Sequence, residues 1–234
     1  DKSENRTAIG KQGAIECILA AMKNHPSDAS IQRQACSAIW NLAVSNDDNS
    51  VSIAKQGGIE LILSTMTEFT NDAAVQQQAC GALWNLASNN GNSVLIGEQG
   101  GVEFVMLAME NHPDDANLQR FACGALGNLV DNNDANIITI CKQGGVELIL
   151  TAMRTHINNA DLQQQACAAL WNLGVSKIAR DVIAQKGGIQ TILSTMKSHP
   201  NNPDVLLQNC GTLCNLTLNN ENNRAAIGKL GGIE

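Results

Sequence analysis

Apolar residues along this chain recur at the spacing of one face of a helix. In one block the apolar positions fall within a single arc of a helical wheel drawn at about 100° per residue, and they are Ile31, Ala35, Cys36, Ala38, Ile39 and Leu42. A half-buried strand would instead alternate apolar and polar residues at every second position. The pattern predicts amphipathic helices, each with one buried face.

The block occurs five times in the 234 residues. Successive copies are 43 or 44 residues apart, and each contains an Asn followed by a Leu, at Asn41, Asn85, Asn128, Asn172 and Asn215. A glycine, doubled in every copy except the first, stands 28 residues before each of these Asn residues. A period of this length predicts a helical solenoid, in which each unit packs its apolar face on its neighbours.

Each unit is predicted to contain three helices. The first runs from Asn49, as the N-cap, to about Gln56, and ends at a glycine pair that permits a left-handed turn. The second carries a Glu near its N-terminus. The third follows a capping residue, at Asp28, Asp72, Asp115, Asn159 and Asn202. The predicted organisation is one array over 1–234, with repeats at 1–46, 47–90, 91–133, 134–176 and 177–220 and a partial sixth at 221–234.

This order of elements resembles the armadillo repeat. A short helix, a glycine turn, a second helix and a long third helix ending in Leu-x-Asn-Leu or Ile-x-Asn-Leu make up each unit, and the resemblance covers the whole chain. HEAT repeats are the nearest alternative, but they are two-helix units that would not need the recurrent glycine pair. The resemblance implies an all-α fold, a right-handed α-solenoid whose third helices line a concave groove.

The helical wheel predicts which side of the third helix faces solvent. Opposite the apolar arc lies the residue four before each Asn, and these residues are Ser37, Gly81, Gly124, Ala168 and Gly211. The Asn residues flank this position, together with the residues eight positions before them, which are Arg33, Gln77, Arg120, Gln164 and Leu207. These side chains are the predicted floor of the groove.

The five Asn residues match a family position with a known role. In armadillo proteins similar to the nuclear-import adaptors, the Asn at this position pairs with the backbone of an extended ligand. A carboxamide suits that role because it offers both a donor and an acceptor. The alternative for these residues is a hydrogen bond to the neighbouring repeat.

All three Trp residues, Trp40, Trp84 and Trp171, directly precede the repeated Asn. They are predicted to lie between groove and core, either as packing between repeats or as binding surfaces. The adaptor subfamily carries Trp four residues before the Asn, where this sequence has Ser, Gly or Ala. We therefore do not predict recognition of nuclear localisation signals.

Composition narrows the class of partner. Asp and Glu number 22 and Lys and Arg 15, so the net charge of −7 opposes binding to phosphate backbones and anionic lipids. No apolar stretch approaches the roughly 20 residues that span a bilayer. We expect a protein or peptide partner, and no nucleic acid or membrane.

The cysteines and histidines repeat with the units. The repeated Cys residues, Cys36, Cys80, Cys123, Cys167 and Cys210, share one apolar position. Because packed helices lie about 8–10 Å apart, these thiols are too distant for disulfides or a shared metal. Buried, reduced thiols indicate an intracellular protein, cytoplasmic or alternatively nuclear. His25, His112, His156 and His199 recur at the end of the second helix, where we expect them to cap carbonyl groups.

The sequence contains no phosphate-binding loop and no Ser, His and Asp arrangement suited to a triad. We therefore predict a non-enzymatic scaffold, without cofactor or metal, that binds an extended partner segment in the groove. Arg33 and Arg120 favour acidic groups in that segment, whereas Asp131, Asp161 and Asp204 disfavour them, so a segment of mixed charge is expected. The alternative is an armadillo-type regulator of a small GTPase, which contacts a folded partner.

Neither end of the chain has a polar capping repeat. We expect a piece of a longer array, in which 221–234 fray or dock on another molecule. Uncapped ends would also allow head-to-tail self-association.

Overall fold

The computed structural model of this protein describes residues 2–230, and side-chain surroundings from Glu4 onwards. Within that range the chain is helical and contains no strand, as predicted. Numbered in chain order, the first helices of the units are α1 Lys2–Ile9, α4 Asp47–Lys55, α7 Asn90–Glu98, α10 Asp134–Lys142, α13 Lys177–Gln185 and α16 Glu221–Lys229. The second helices are α2 Ile15–Asn24, α5 Gly58–Glu68, α8 Gly101–Asn111, α11 Gly145–Thr155 and α14 Gly188–Ser198. The third helices are α3 Ala29–Ala43, α6 Ala73–Leu86, α9 Ala116–Leu129, α12 Ala160–Leu173 and α15 Pro203–Thr217. The predicted segment 221–234 extends beyond the described residues at 231–234.

The chain divides into two units, Asp1–Leu129 (unit 1) and Val130–Glu234 (unit 2). In unit 1, α6 packs against both α3 and α9, and each second helix packs on the third helix that follows it. In unit 2, α15 packs against α12 in the same way. Within each unit, consecutive third helices therefore stack as expected for an α-solenoid.

The turns that separate the helices follow their sequence signals. Asp28 Oδ1 accepts hydrogen bonds from the backbone N–H groups of Ser30 and Ile31, at 2.9 and 3.0 Å, and so caps α3 as predicted. The first glycine of each doubled pair has a φ between 78° and 85°, in the left-handed region that favours glycine. Both kinds of signal are local, which is why they could be identified without knowledge of the packing.

The first helices begin earlier than predicted. The N-cap of α4 is Asn46, whose Oδ1 accepts from the backbone N–H of Asn49 at 3.0 Å. Asn49 itself is buried, and its Nδ2 donates to the backbone carbonyl of Leu42 at 3.0 Å. The predicted start at Asn49 was therefore wrong, because this side chain ties the first helix to the end of the preceding third helix.

Buried glutamines end the second helices, a role that the sequence reasoning gave to histidine. In unit 1, Gln32 Nε2 donates to the carbonyls of Met22 and His25, both at 2.9 Å. Gln76, Gln119 and Gln163 make the equivalent pair of bonds. His112 Nε2 instead lies 3.0 Å from the carbonyl of Thr70, in the preceding repeat. His199 Nε2 likewise lies 2.7 Å from the carbonyl of Ile157. These two histidines therefore contact backbone carbonyls as expected, but in the preceding repeat, since in α8 Gln119 already pairs with the carbonyls at the helix end.

Cysteines at the repeated position are buried in α3, α6, α9 and α12. Burial raises the pKa of the Cys36, Cys80 and Cys123 thiols to about 12. Cys210 is exposed, contrary to the prediction, because in residues 2–230 no further third helix packs on its side of α15. None of the eight cysteines forms a disulfide.

Helices that could cross a membrane are absent from the part of the chain that the structure describes.

Candidate functional site

The predicted groove residues lie on the solvent side of the third helices, which we call the third-helix face. Arg33 and Asn41 are exposed. The remaining predicted site residues are half-buried, and they are Trp40, Trp84, Trp171, Asn85, Asn128, Asn172, Asn215, Gln77, Arg120 and Gln164. Each of these side chains can therefore reach both the protein and a molecule in solvent.

Each indole on this face covers a glycine of the next third helix. A Cβ atom placed on Gly124 would lie 2.6 Å from Trp84 Cδ2, and one on Gly211 would lie 2.8 Å from Trp171 Cδ2. At Gly81 the corresponding distance to Trp40 Cδ2 is 3.4 Å. The Trp residues thus pack between repeats while part of each ring stays accessible.

This packing corrects the prediction of the most exposed position. The residue four before each Asn was expected to face solvent, but Gly81 and Gly124 are buried. The wheel treated each helix alone, whereas the covering Trp belongs to the preceding repeat. A Trp followed by a Gly 40 or 41 residues later is the sequence signal that could have revealed this contact.

The repeated Asn side chains connect adjacent third helices. Asn85 Nδ2 donates to the backbone carbonyl of Trp40 at 3.0 Å, and Asn128 Nδ2 donates to that of Trp84 at 2.8 Å. In unit 2, Asn215 Nδ2 donates to the carbonyl of Trp171 at 3.0 Å. Asn41 bonds within its own helix, to the carbonyl of Ser37 at 2.8 Å. Each of these bonds uses one of two amide hydrogens.

Part of the hydrogen-bonding capacity of these carboxamides is unused. Among the described residues, nothing donates to the Oδ1 atoms of Asn85 and Asn128. Because a carboxamide has an acceptor oxygen and two donor hydrogens, each side chain keeps one donor and one acceptor for another molecule. The bond to the preceding repeat also fixes the orientation in which they are presented.

An aromatic cluster lies on the third-helix face of unit 1. The buried Phe121 ring packs edge-on against Trp40, with centroids 4.8 Å apart, and against Trp84, with centroids 6.0 Å apart. The guanidinium Cζ of Arg120 lies 4.2 Å from the Phe121 centroid, which is a cation–π contact. The helical periodicity of α9 alone did not indicate that Phe121 joins two Trp residues.

The cations of this face have no acidic partner within unit 1. Arg33 and Arg120 form no ion pair among the residues that the structure describes. In unit 2 the third-helix face is different, since Asp161 and Asp204 are exposed and Leu207 is 61% exposed. The residues of 2–230 contain no cluster of three or more His, Cys, Asp or Glu suited to a metal ion.

Comparisons with known proteins agree with the observed repeats. A family model described as the LRRK2 ARM repeat matches residues 11–178. An engineered protein of solved structure superposes with a TM-score of 0.81 at 26% identity, over 92% of this chain and 84% of that one. A structure from work on a phosphorylation switch in the interaction between cadherin and beta-catenin gives a TM-score of 0.45 at 17% identity, over 92% of this chain and 50% of that one.

A curated relative shares a shorter segment. Protein aardvark of Dictyostelium discoideum is 44% identical over 48 residues, which are 20% of this chain. The match spans only 6% of the length of that relative. The family model, by contrast, covers well over half of the chain, and its repeat agrees with the stacked three-helix units, so this chain belongs to the armadillo (ARM) repeat family.

Proposed function

We propose that this chain is a non-enzymatic protein-interaction scaffold that binds an extended partner segment along its third-helix face. The ARM repeat fold is typically non-enzymatic, and membership of the family supports an interaction role. The single array over 1–234, with the repeat boundaries given above, is part of the same proposal.

The carboxamides of Asn85 and Asn128 carry this proposal. They lie at equivalent places on adjacent helices, half-exposed and held by a bond that leaves one donor and one acceptor free. The backbone of an extended peptide presents N–H and C=O groups without internal partners. Such a peptide can pair with both side chains whatever its own side chains are, while the half-exposed Trp rings supply apolar contact.

The spacing of the helices limits how the peptide runs. Packed helices are about 8–10 Å apart, whereas an extended chain advances about 6.6–6.8 Å per two residues. Successive Asn side chains therefore cannot engage every second peptide group of a straight strand. The partner segment must bend or skip a residue between successive contacts.

Charge on unit 1 selects among partner segments. Arg33 and Arg120 lack acidic partners, and the stacked position of Arg120 on Phe121 holds its guanidinium at the surface. An acidic side chain in the segment would therefore be favoured beside unit 1. The exposed Asp161 and Asp204 of unit 2 favour basic side chains instead, so the expected segment is mixed in charge.

A displayed library of unstructured peptides, selected on the wild-type chain, tests the proposal. We expect selected peptides to bind the double variant Asn85→Ala, Asn128→Ala at least tenfold more weakly, which is about 1.4 kcal/mol. Asn111→Ala, which changes an exposed Asn on the second helix α8, is the matched control and should bind normally. Peptides that bind both variants equally would contradict the role of the third-helix face.

The small-GTPase alternative makes a different prediction. A regulator of that kind would accelerate nucleotide release from a folded GTPase, whereas a peptide scaffold would not. Nucleotide release measured with a fluorescent guanine nucleotide, across a panel of small GTPases, separates the two. Acceleration that persists in the Asn85→Ala, Asn128→Ala variant would favour the alternative.

A further inference from the structure

A cavity of about 400 Å³ in unit 2 lies between the second helices α11 and α14. Arg154, Lys186, Gln190, Thr191 and Ser194 contribute its polar lining. Arg154, Lys186 and Ser194 are exposed, so the cavity is accessible from solvent. We call it the α11–α14 pocket, and none of its residues belongs to the third-helix face.

The charge of this region is opposite to that of the second helices α5 and α8 in unit 1. Helices α5 and α8 contain no Lys or Arg and four acidic residues, which are Glu60, Glu68, Glu103 and Glu110. Helices α11 and α14 contain two basic residues, Arg154 and Lys197, and a single acidic one, Glu147. In a chain with a net charge of −7, a basic pocket is a local departure from the overall field.

Two substitutions within the repeat produce the basic pocket. The residue before the glycine turn is Gln in the first four repeats, at Gln12, Gln56, Gln99 and Gln143, but it is Lys186 in the fifth repeat. The residue three positions after that glycine is Glu in the same four repeats, at Glu16, Glu60, Glu103 and Glu147, but it is Gln190 in the fifth repeat. One change adds a cation to the lining of the cavity, and the other removes an anion from it.

The contacts around Glu147 show how the cations are held. In unit 1, the neutral Gln56 and Gln99 donate Nε2 to Glu16 and Glu60, at 3.0 and 2.7 Å. In unit 2, Arg154 Nη2 lies 2.7 Å from Glu147 Oε1, and Lys186 Nζ lies 3.7 Å from Glu147 Oε2. Two cations share one carboxylate, so one positive charge beside the cavity is uncompensated.

We propose that the α11–α14 pocket binds a phosphate group. Arg154 supplies a planar guanidinium suited to phosphate oxygens, and Lys186 supplies a mobile point charge. The exposed hydroxyl of Ser194 adds a donor, and the N-terminus of α14 has no acidic side chain in its first turn to oppose an anion. No aromatic side chain lines the cavity for stacking of a nucleotide base. The phosphate is therefore either inorganic or carried on the side chain of a phosphorylated protein.

Titration of the 15N-labelled protein with inorganic phosphate, followed by NMR at constant ionic strength, tests the site. We expect saturable shifts of the backbone amides in 187–194, with a dissociation constant on the order of 1 mM. Lys186→Gln restores the residue found in the other four repeats, so we expect the variant to keep the fold. It should weaken phosphate binding at least about threefold. Shifts that grow linearly without saturation would overturn the proposal.

Two further variants test the sign of the charge effect. Gln190→Glu adds an anion at the pocket and should weaken phosphate binding. Glu147→Gln removes the carboxylate that competes for both cations and should strengthen binding at least about threefold. Lys55→Gln, which removes the same charge from an exposed site in unit 1, is the control and should change nothing. An equal effect of Lys55→Gln and Lys186→Gln would mean that only net charge matters, and would overturn the site.

The source of the phosphate is resolved by a second ligand, N-acetyl phosphoserine amide. Saturable binding of this compound at the same amides would assign the pocket to a phosphorylated side chain. Binding of inorganic phosphate alone would assign it to the free anion, and binding of neither would overturn the proposal. Asn85→Ala should leave phosphate binding unchanged, so this outcome is independent of the partner segment on the third-helix face.

Discussion

Units 1 and 2 are built from the same repeat but carry opposite charges on corresponding helices. In unit 1 the third-helix face has Arg33 and Arg120 without acidic partners, and the second helices α5 and α8 are acidic. In unit 2 the third-helix face exposes Asp161 and Asp204, and the second helices α11 and α14 are mainly basic. Most buried positions are apolar in both units, although in the last repeat Leu206 stands at the position of the buried Gln and Asn209 at that of a buried Ala. The charged, exposed positions of the repeat therefore vary between the units, whereas the half-buried Asn and Trp positions serve the stacking of helices in both.

Thiol reactivity should give the largest measurable difference, between Cys210 of unit 2 and the buried cysteines at the same repeat position. Burial raises the pKa of Cys36, Cys80 and Cys123 in unit 1 from 9.0 to about 12, whereas Cys210, at the same repeat position in unit 2, is exposed. The thiolate is the reactive form, so the three buried thiols should be alkylated about a thousandfold more slowly than an ordinary thiol. Mass spectrometry after timed iodoacetamide labelling at pH 8 measures this, and equal labelling of Cys80 and Cys210 would contradict the burial.

The same raised pKa values determine how the free energy of unfolding changes with pH. Below pH 9 these thiols are protonated in the folded and the unfolded chain, and their contribution to stability is complete. As the pH rises from 9 towards 12, the unfolded chain loses protons that the folded chain keeps, so the free energy of unfolding falls. Urea denaturation at pH 8 and pH 10 should show the decrease. Cys80→Ala should show a smaller decrease.

Replacement of a buried glutamine should cause the largest loss of stability. Gln76 Nε2 donates to the carbonyls of Met66 and Phe69, at 2.7 and 2.9 Å. Gln76→Leu removes both bonds, although the Met66 carbonyl still accepts from Thr70 Oγ1 and the Phe69 carbonyl from the Asp72 N–H. The free energy of unfolding should therefore fall by the contribution of two buried hydrogen bonds, about 2–3 kcal/mol. Gln77→Leu, at the adjacent half-buried position, is the control and should change stability by less than about 0.5 kcal/mol. Similar losses in both variants, measured by urea denaturation, would show that these two bonds are not decisive.

The sequence predicted much of what depends on residues a few positions apart, although it placed the N-cap of α4 at Asn49 and not at Asn46. Helical periodicity, the Asp28 cap and the left-handed glycine turns involve residues close in the chain, and all were identified. Two kinds of contact between helices were missed. Gln32, on the apolar arc of α3, donates to the carbonyls at the end of α2, and Trp84 packs over Gly124 on the next third helix. A polar Gln recurring at one apolar position was a visible sign that a specific buried bond exists there. Which carbonyls it reaches required the packing of one helix on another.

Partner recognition was less accessible from the sequence for a physical reason. The wheel placed Asn85 and Trp84 near the solvent side, and the structure leaves both half-buried. Whether such a side chain serves packing or binding depends on which of its polar atoms are already used, and that is set by the neighbouring repeat. For Asn85 one hydrogen is used by Trp40 and the acceptor is not. The two interpretations considered for the sequence are therefore compatible rather than exclusive.

The smallest expected changes in stability concern the glycines beneath the Trp rings, and there the sign of the change differs between positions. A methyl group on Gly124 would lie 2.6 Å from Trp84 Cδ2 and one on Gly211 would lie 2.8 Å from Trp171 Cδ2, so the indole must move in both cases. We expect Gly124→Ala to lower the free energy of unfolding by about 1–3 kcal/mol, and Gly211→Ala to act in the same direction in unit 2. At Gly81 the distance to Trp40 Cδ2 is 3.4 Å, an ordinary contact, so Gly81→Ala should gain up to about 1 kcal/mol from helix propensity. Urea denaturation followed by Trp fluorescence measures all three. If the three substitutions have the same effect, helix propensity alone governs these positions, and the indoles do not hold the stacked helices in register.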